Sequence, residues 1–298
     1  MFDTIRERLI HLHECPGIGW MTLFKMLKYD ASLSSIYTLS PHELMMHFHI
    51  PHTIIADFYK TLHSPSFPKK LQYYQEKGIL IITIMDEAYP VLLKEIYRPP
   101  WVLYAMGDVQ LLARRKNLAV VGTRQPTDYG KSVTRQLVKG LLQHDFVITS
   151  GLAKGIDYEA HMSAIKEGGK TIAVIAGGFE HIYPREHRGL AKLISQDHLL
   201  LSEYPPYIRP QKYQFPERNR IISGLSIGTL VIEAKEKSGS LITANMALQE
   251  GREVFAVPGP ITKVESAGTN RLIQDGAKLV LSPDDIITEL APILNGSS

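Results

Sequence analysis

Apolar positions follow one pattern along the first part of the chain and another along the rest, and the pattern changes near residue 66. Before it, apolar residues recur at helical spacing and form no convincing strand pattern. After it, short runs of Val, Ile and Leu alternate with helical segments, of which 128–143 and 240–251 are the clearest. We assign strands to the runs at 78–86, 101–108, 118–122, 146–151, 171–178, 199–204, 228–234, 253–259 and 277–282.

These runs predict a sheet that is buried on both faces. Near-continuous apolar strands separated by crossover helices are typical of parallel sheets. The sequence therefore predicts an α/β protein with an extended Rossmann-like, doubly wound, mostly parallel sheet, preceded by a small all-helical domain. We place the helical domain at 1–66, the sheet domain at 67–291 and a disordered tail at 292–298, with a linker-like composition at 64–70.

The helical domain contains a glycine-rich turn, Pro-Gly-x-Gly, directly before an apolar-periodic helix within residues 15–28. This arrangement is similar to helix-hairpin-helix modules, in which backbone N–H groups of the turn face a DNA phosphate. A helix pair that packs without a ligand explains the same pattern. We therefore describe 1–66 as a SAM/helix-hairpin-helix-like domain and leave its contact with DNA open.

Composition and charge limit the class of protein. The 298 residues are 44% hydrophobic and 21% charged, which is typical of a folded soluble protein. The single cysteine, Cys15, excludes a disulfide framework and suits a reducing compartment. No apolar run reaches the roughly 18 residues of a membrane span, and the first residues interleave charges, so we expect a cytoplasmic protein without a membrane partner. The net charge of +3 neither requires nor excludes nucleic acid.

Several familiar catalytic motifs are incomplete. Arg124 stands where a dinucleotide-binding loop needs its second glycine, and Gln125 replaces the first glycine of a Walker A loop. No G-x-S-x-G elbow and no spaced set of metal ligands is present. Asp157 and His161, four residues apart, form either an acid–base pair or a helix-start carboxylate beside a packed histidine. The sequence therefore predicts no cofactor, no metal and no catalytic residue.

Groups that bind anions follow several predicted strands. The carboxyl ends of parallel strands meet at one edge of a sheet, where ligands of such folds bind. Here those ends carry arginines, a lysine and Gly-Ser loops, which donate hydrogen bonds to phosphate oxygens. Aromatic residues between them, Tyr183 and Phe215 above all, are candidates for stacking on the bases of a single strand. The predicted phosphate-binding residues are Arg124, Ser150, Gly151, Lys154, Gly155, Arg185, Arg218, Asn219, Arg220, Ser238, Gly239 and Ser240.

Segments in a fixed order, among them SGLAKGIDYEAH (150–161), FPERNRIISGLS (215–226) and GTNRLIQDGAKLV (268–280), resemble the bacterial DNA-processing protein A (DprA/Smf) family. The resemblance runs from roughly residue 70 to 290. It implies a homodimer that binds single-stranded DNA without known catalysis, protects incoming strands and loads the RecA recombinase onto them in natural transformation and homologous recombination. At matching positions it implies a phosphate pocket formed by Arg124, the SGLAKG loop with Lys154, Arg218, Arg220, and Lys235 or Lys237 with the following SGS segment.

Two further expectations come with the resemblance. Some family members carry a C-terminal winged-helix domain, whereas this chain stops soon after DDIITEL, at 284–290, which favours single strands over duplex. The family also dimerises through its Rossmann domain. We expect that face near 272–281, with Leu272, Ile273 and Leu279 as candidates, because apolar residues flank an edge strand there.

A different class of protein stays open as the alternative. Nucleotide-binding hydrolases of the lysine-decarboxylase-like Rossmann group also hold a nucleoside monophosphate at glycine-rich strand ends, and Glu233 would be their catalytic carboxylate. Their P-G-G-x-G-T-x-x-E loop is absent from this sequence, where the nearest fragment is AGGFEHIYP at 176–184. We favour the binding protein, and expect Glu233 to be ion-paired with a basic neighbour or turned toward the Ser-Gly loop.

Overall fold

The computed structural model describes residues 2–295 and divides them into two compact units. The first unit holds the residues up to Tyr89 together with Pro100–Tyr104. The second holds Pro90–Pro99 and the residues from Ala105 onward. No helix within 2–295 combines the length and the apolar character that crossing a membrane requires.

The first unit is mostly helical. Capping boxes start two of its helices, where Thr4 and Ser40 each exchange hydrogen bonds with the glutamate three residues later. The elements are α1 (Ile5–His13), α2 (Trp20–Tyr29), a 3₁₀ turn (Ser35–Tyr37), α3 (Pro41–Phe48), α4 (Ile55–Leu62), α5 (Phe67–Glu76) and β1 (Leu80–Thr83).

Helix α5 begins at Phe67, within the segment 64–70 that composition predicted as a linker. Proline at the first turn of a helix costs no hydrogen bond, so Pro68 is compatible with it. Phe67 and Tyr74 are buried, and the Tyr74 hydroxyl donates to the buried carboxylate of Glu14 at 3.0 Å. Burial of these side chains makes the segment part of the helical unit, which therefore continues beyond residue 66.

The remaining elements alternate strand and helix almost throughout. Several strands are shorter than the apolar runs that predicted them; the run at 277–282, for example, contributes two paired residues. The elements are α6 (Val91–Lys94), β2 (Val102–Gly107), β3 (Asn117–Val121), α7 (Asp128–Leu142), β4 (Val147–Ser150), α8 (Ile156–Lys166), β5 (Thr171–Ile175), α9 (Arg188–Asp197), β6 (Leu199–Ser202), α10 (Gln214–Gly224), β7 (Gly228–Val231), α11 (Gly239–Gln249), β8 (Glu253–Ala256), α12 (Val264–Gln274), β9 (Lys278–Leu279) and α13 (Pro283–Asn295), with 3₁₀ turns at Val109–Ala113, Phe179–His181 and Arg185–His187.

Within the second unit the strands lie in the order β6-β5-β4-β3-β7-β8-β9, and each of these neighbouring pairs is parallel. The order reverses at β3, which pairs with β4 on one side and β7 on the other. Leu118, Val120, Ile148, Leu230 and Phe255 are fully buried in a core that includes residues of α7, α8 and α13. The α/β, mostly parallel, Rossmann-like prediction and the helical N-terminal region are confirmed.

The register aligns the carboxyl ends of the central strands. Val121 lies opposite Val231, and Val231 lies opposite Ala256. The loops that follow β3, β7 and β8 therefore leave from the same edge of the sheet. At the other end of the chain, residues 292–295 of the predicted disordered tail are helical and belong to α13, and the rest of that tail lies outside the described residues.

Candidate phosphate-binding pocket

A cavity of about 350 Å³ lies at the carboxyl end of β3, where the strand order reverses. The loops after β3 and β7 are joined there by the Thr123 N–H, which donates to the Glu233 carbonyl at 2.7 Å. Ligands of open α/β sheets bind at this topological position. The lining includes Arg124, Phe215, Arg218, Asn219, Lys235, Lys237, Ser238, Gly239 and Ser240, nine of the residues that the sequence predicted.

Arg218 is the buried cation of the pocket, with 6% of its surface exposed. Its Nη1 donates to the carbonyls of Gly151 and Val174. The guanidinium lies so close to Gly151 that a Cβ at that residue would overlap it. Gly151 therefore contributes space for Arg218, where the sequence predicted a phosphate contact.

The carboxylate of Asp157 sits beside this arginine and lines the same cavity. Its Oδ2 accepts from the N–H groups of Gly151 and Ala153 at 3.2 and 3.3 Å. These loop N–H groups, which belong to the segment predicted to bind phosphate, therefore already donate to Asp157. Burial raises the pKa of Asp157 and lowers the pKa of Arg218 to about 10, so the arginine stays charged at neutral pH.

Three exposed cations surround Arg218. Arg124, Lys235 and Lys237 line the cavity, and none of them forms an ion pair with any residue of the described chain. Arg124 lies near enough for its charge to contribute to the lowered pKa of Arg218. The pocket therefore concentrates four cationic side chains around one carboxylate.

Helix α11 begins at the pocket. Ser238, its N-cap, forms no capping hydrogen bond with its side chain, and the first turn holds no acidic residue. Instead the hydroxyls of Ser238 and Ser240 lie 2.9 Å apart, and Asn219 Nδ2 donates to the Gly239 carbonyl at 3.3 Å. A helix N-terminus with unsatisfied N–H groups attracts anions, so it adds to the field of the cations.

Phe215 lines the cavity and meets Tyr183 edge to face, with ring centroids 5.5 Å apart. Tyr183 is 54% exposed. The two predicted stacking residues are therefore brought together beside the cations. The lining also includes Thr123 and Ile242, which the sequence did not predict. Thr123 directly follows the predicted strand 118–122, and Ile242 lies in the first turn of the predicted helix 240–251; these positions are the signal that could have identified them.

Lys154 lies outside the lining of the cavity. Its ammonium pairs with the carboxylate of Glu186, and both side chains are about half exposed. Gly155 follows with φ of 81°, a conformation that favours glycine, and a Cβ there would overlap the Thr123 carbonyl. Arg185 is exposed on a 3₁₀ turn and is likewise not part of the lining.

Arg220 and Ser150 also point elsewhere. Arg220 Nη2 donates to both carboxylate oxygens of Glu203 at 2.6 Å, in a buried pair. Because Arg220 is two residues from Arg218 on α10, the two side chains leave nearly opposite sides of the helix. The Ser150 hydroxyl is buried and donates to the Val120 carbonyl at 2.7 Å.

Glu233, the candidate carboxylate of a hydrolase, is buried and engaged by Thr127. Its Oε2 accepts from the Thr127 N–H at 2.9 Å and its Oε1 from the Thr127 hydroxyl at 2.5 Å. The expectation of a basic partner or of contact with the Ser-Gly loop was therefore wrong, because Glu233 holds the N-cap residue of α7. The pair Asp157 and His161 is also separate, since His161 Nδ1 contacts the Thr171 hydroxyl at 2.7 Å.

The three candidates for the dimer face differ in exposure. Leu272 is buried in the protomer, Ile273 is half-buried, and Leu279 is 44% exposed on β9 at the edge of the sheet. Leu281, just beyond this strand, is 72% exposed. Within the predicted segment 272–281, Leu279 and Leu281 therefore present more apolar surface than Leu272 and Ile273.

The doubly wound sheet and the cationic pocket at its switch point define a Rossmann-like protein with a candidate anion-binding site. The family model of DNA recombination-mediator protein A matches residues 80–291. The chain therefore belongs to the DNA-processing protein A family, as its motifs suggested.

Individual relatives agree with this assignment. DNA processing protein DprA of Bacillus subtilis (strain 168) is 54% identical over 226 residues, 76% of each chain. The X-ray structure of DNA processing protein A from Streptococcus pneumoniae matches with a TM-score of 0.80 at 39% identity, covering 97% of this chain and 99% of that one. DNA processing protein A of Helicobacter pylori, whose structure describes its single-stranded DNA binding mode, matches with a TM-score of 0.65 at 32% identity, covering 72% and 95%.

Proposed function

We propose that this protein binds single-stranded DNA through the pocket at β3, without performing a reaction on it. One observation carries the proposal: three exposed cations without ion-pair partners in the described chain surround the buried Arg218 at the positive end of α11. Backbone phosphates fill such a site, because Arg, Lys and helix N–H groups all donate to phosphate oxygens.

The aromatic pair supports a nucleic-acid strand rather than free phosphate as the ligand. Phe215 and Tyr183 stand beside the cations and offer ring surface to a base next to the bound phosphate. Binding of this kind is tolerant of sequence, because every base has a stacking face and every nucleotide has a phosphate. Single strands are favoured over duplex because paired bases are not free to stack on protein rings.

The same proposal extends to the partners. The protein protects an incoming strand and loads RecA recombinase onto it during natural transformation and recombination; membership of the DNA-processing protein A family supports this. It acts as a homodimer through the exposed apolar edge at Leu279, since an unpaired edge strand with exposed leucines is suited to pairing with a second copy. Leu279→Asp is expected to yield monomers in sedimentation, whereas Val91→Asp, at an exposed valine of α6, should leave the dimer intact.

The geometry of Glu233 argues against the alternative activity, hydrolysis of a nucleoside monophosphate. Glu233 is occupied by two hydrogen bonds from Thr127, and it is not among the residues that line the cavity. Incubation with nucleoside monophosphates and assay for released free base tests this directly. Release of base at enzymatic rates would overturn the binding proposal.

The decisive experiment measures fluorescence anisotropy of labelled oligothymidylate over a salt series. The double variant Lys235→Ala/Lys237→Ala should bind more weakly at every salt concentration, and its log–log salt slope should be shallower by about 0.7 for each phosphate that the protein no longer neutralises. The control is Lys139→Ala, which removes an exposed lysine of α7 that is paired with Glu167. Equal binding by wild type and double variant would show that the pocket assignment is wrong.

A further inference from the structure

Three aromatic rings of the first unit stack in a row, which we call the aromatic ladder: Phe24, Trp20 and Trp101. The Phe24 and Trp20 centroids lie 5.2 Å apart with an interplanar angle of 20°, and those of Trp20 and Trp101 lie 5.2 Å apart at 22°. Trp101 Nε1 donates to the Trp20 carbonyl at 3.0 Å, which fixes the outer indole. All three side chains are half-buried, so the row borders the solvent.

A lysine covers one end of this row. Lys28 Nζ lies 4.7 Å from the centroid of the Phe24 ring, in a cation–π contact. Trp20, Phe24 and Lys28 are spaced by four residues on α2 and therefore occupy one face of that helix. Lys28 is exposed, so a planar ligand can replace its ammonium at the ring.

The rest of α2 agrees in charge and character. The helix contains two lysines and no acidic residue, and its exposed large side chains, Met21 and Tyr29, are apolar or aromatic. The Lys25 ammonium contacts His49 Nδ1 at 3.2 Å rather than a carboxylate. Asp30, the first acid after the helix, accepts hydrogen bonds from the hydroxyl and backbone N–H groups of Ser32 and Ser35.

A face that combines stacked rings with lysines complements a flexible anion with planar groups. An acidic peptide would use the charges but leave the ladder without a role. A single-stranded nucleic acid uses both, because its bases stack on aromatic rings while its phosphates pair with lysines.

We propose that the aromatic ladder is a second contact site for single-stranded DNA, carried by the first unit and separate from the pocket of the second. A base stacks on Phe24 where Lys28 now lies, and the Lys28 ammonium turns to the neighbouring phosphate. The choice of ligand rests on the proposed function; the site itself rests on the ladder and the charge of α2.

The chain contains its own reporter for this site. Its two tryptophans are Trp20 and Trp101, so tryptophan emission arises entirely from the ladder. Unlabelled oligothymidylate should quench this emission in a saturable and salt-dependent way. The double variant Lys235→Ala/Lys237→Ala should retain the quenching, which separates direct stacking from a signal transmitted from the pocket.

Two substitutions at the ladder sharpen the test. Phe24→Leu should raise the oligothymidylate concentration needed for half-maximal quenching by about fivefold or more, the lower end for losing one stacking ring. Phe24→Tyr keeps a ring and should restore quenching, which distinguishes stacking from a folding defect. Lys28→Ala should weaken quenching, whereas Lys77→Ala should not, although Lys77 also lies over a ring, 5.6 Å from the Tyr73 centroid.

Anisotropy of labelled oligothymidylate, measured on the same samples, distinguishes the outcomes. Binding by anisotropy with unchanged tryptophan emission would overturn the second site and leave the pocket proposal intact. Quenching that is identical in wild type, Phe24→Leu and Lys28→Ala would also overturn it. Absence of both signals would overturn the proposed function itself.

Discussion

The guanidinium of Arg218 occupies the space that a side chain at Gly151 would fill. The two residues are 67 positions apart in the chain, yet the glycine is what allows the arginine to reach the Val174 carbonyl and the floor of the pocket. The loop that follows β4 is therefore built around Arg218, and the proposed phosphate binding depends on Gly151.

Gly151→Ala should displace Arg218 and weaken oligothymidylate binding about tenfold or more, because a charged hydrogen-bonding group is worth roughly 1.5–3 kcal/mol. Overpacking should also lower the free energy of unfolding by about 1–3 kcal/mol. Anisotropy and chemical denaturation measure the two effects.

Gly189→Ala is the matched control, because a Cβ at Gly189 meets nothing within 4 Å and the residue lies in helix α9. This change should leave both DNA binding and the free energy of unfolding close to those of the wild type. If Gly151→Ala bound DNA as well as wild type, Arg218 would have no part in the site.

Glu186→Gln should strengthen binding of oligothymidylate about two- to threefold, the modest effect typical of exposed, screened charges. The reason is that the substitution removes the ion pair between Glu186 and Lys154, which leaves the exposed Lys154 ammonium free to pair with a phosphate. Anisotropy at low salt gives the largest signal. The control is Glu289→Gln, which frees Lys278 from a comparable exposed pair and should leave the affinity for oligothymidylate unchanged. An equal gain in affinity in this control would show that the effect of Glu186→Gln comes from net charge alone.

Glu233→Gln should destabilise the protein by about 1–2 kcal/mol, the range for loss of a helix-capping interaction. One of its oxygens becomes an N–H group that faces the Thr127 donors. Thermal unfolding measures the loss, and a double-mutant cycle with Thr127→Ala should show coupling between the two positions. A role in hydrolysis would instead appear as nucleotide turnover in wild type that the variant lacks.

His161 should make the fold sensitive to mild acid. Burial lowers the pKa of this fully buried histidine to about 3. Between that pH and about 6.5, His161 is therefore neutral in the folded state but protonated in the unfolded chain. Stability is therefore lost as pH falls from about 6.5 toward 3, by at most about 1.4 kcal/mol per pH unit. Denaturation curves over this window should have a smaller pH slope in His161→Phe than in wild type.

Much of the fold follows from local sequence. Apolar runs such as 118–122 and 171–178 predict buried parallel strands, because a strand covered on both faces needs apolar side chains at successive positions. Helix α7 was predicted within one residue of its observed end at Leu142. The cations of the site were found in the same way, since the carboxyl ends of parallel strands meet at one edge wherever the chain crosses.

Tertiary structure alone decided which of those cations share a pocket. Arg218 and Arg220 belong to one motif, but the packing of α10 turns the first to the cavity and the second to Glu203. Lys154 pairs with Glu186, and Glu233 accepts hydrogen bonds from Thr127, the N-cap residue of α7. Trp101 stacks on Trp20 and so completes the aromatic ladder. Such partners lie tens of residues apart, so no periodicity or spacing encodes them; they are set by how the elements pack, which local sequence patterns do not contain.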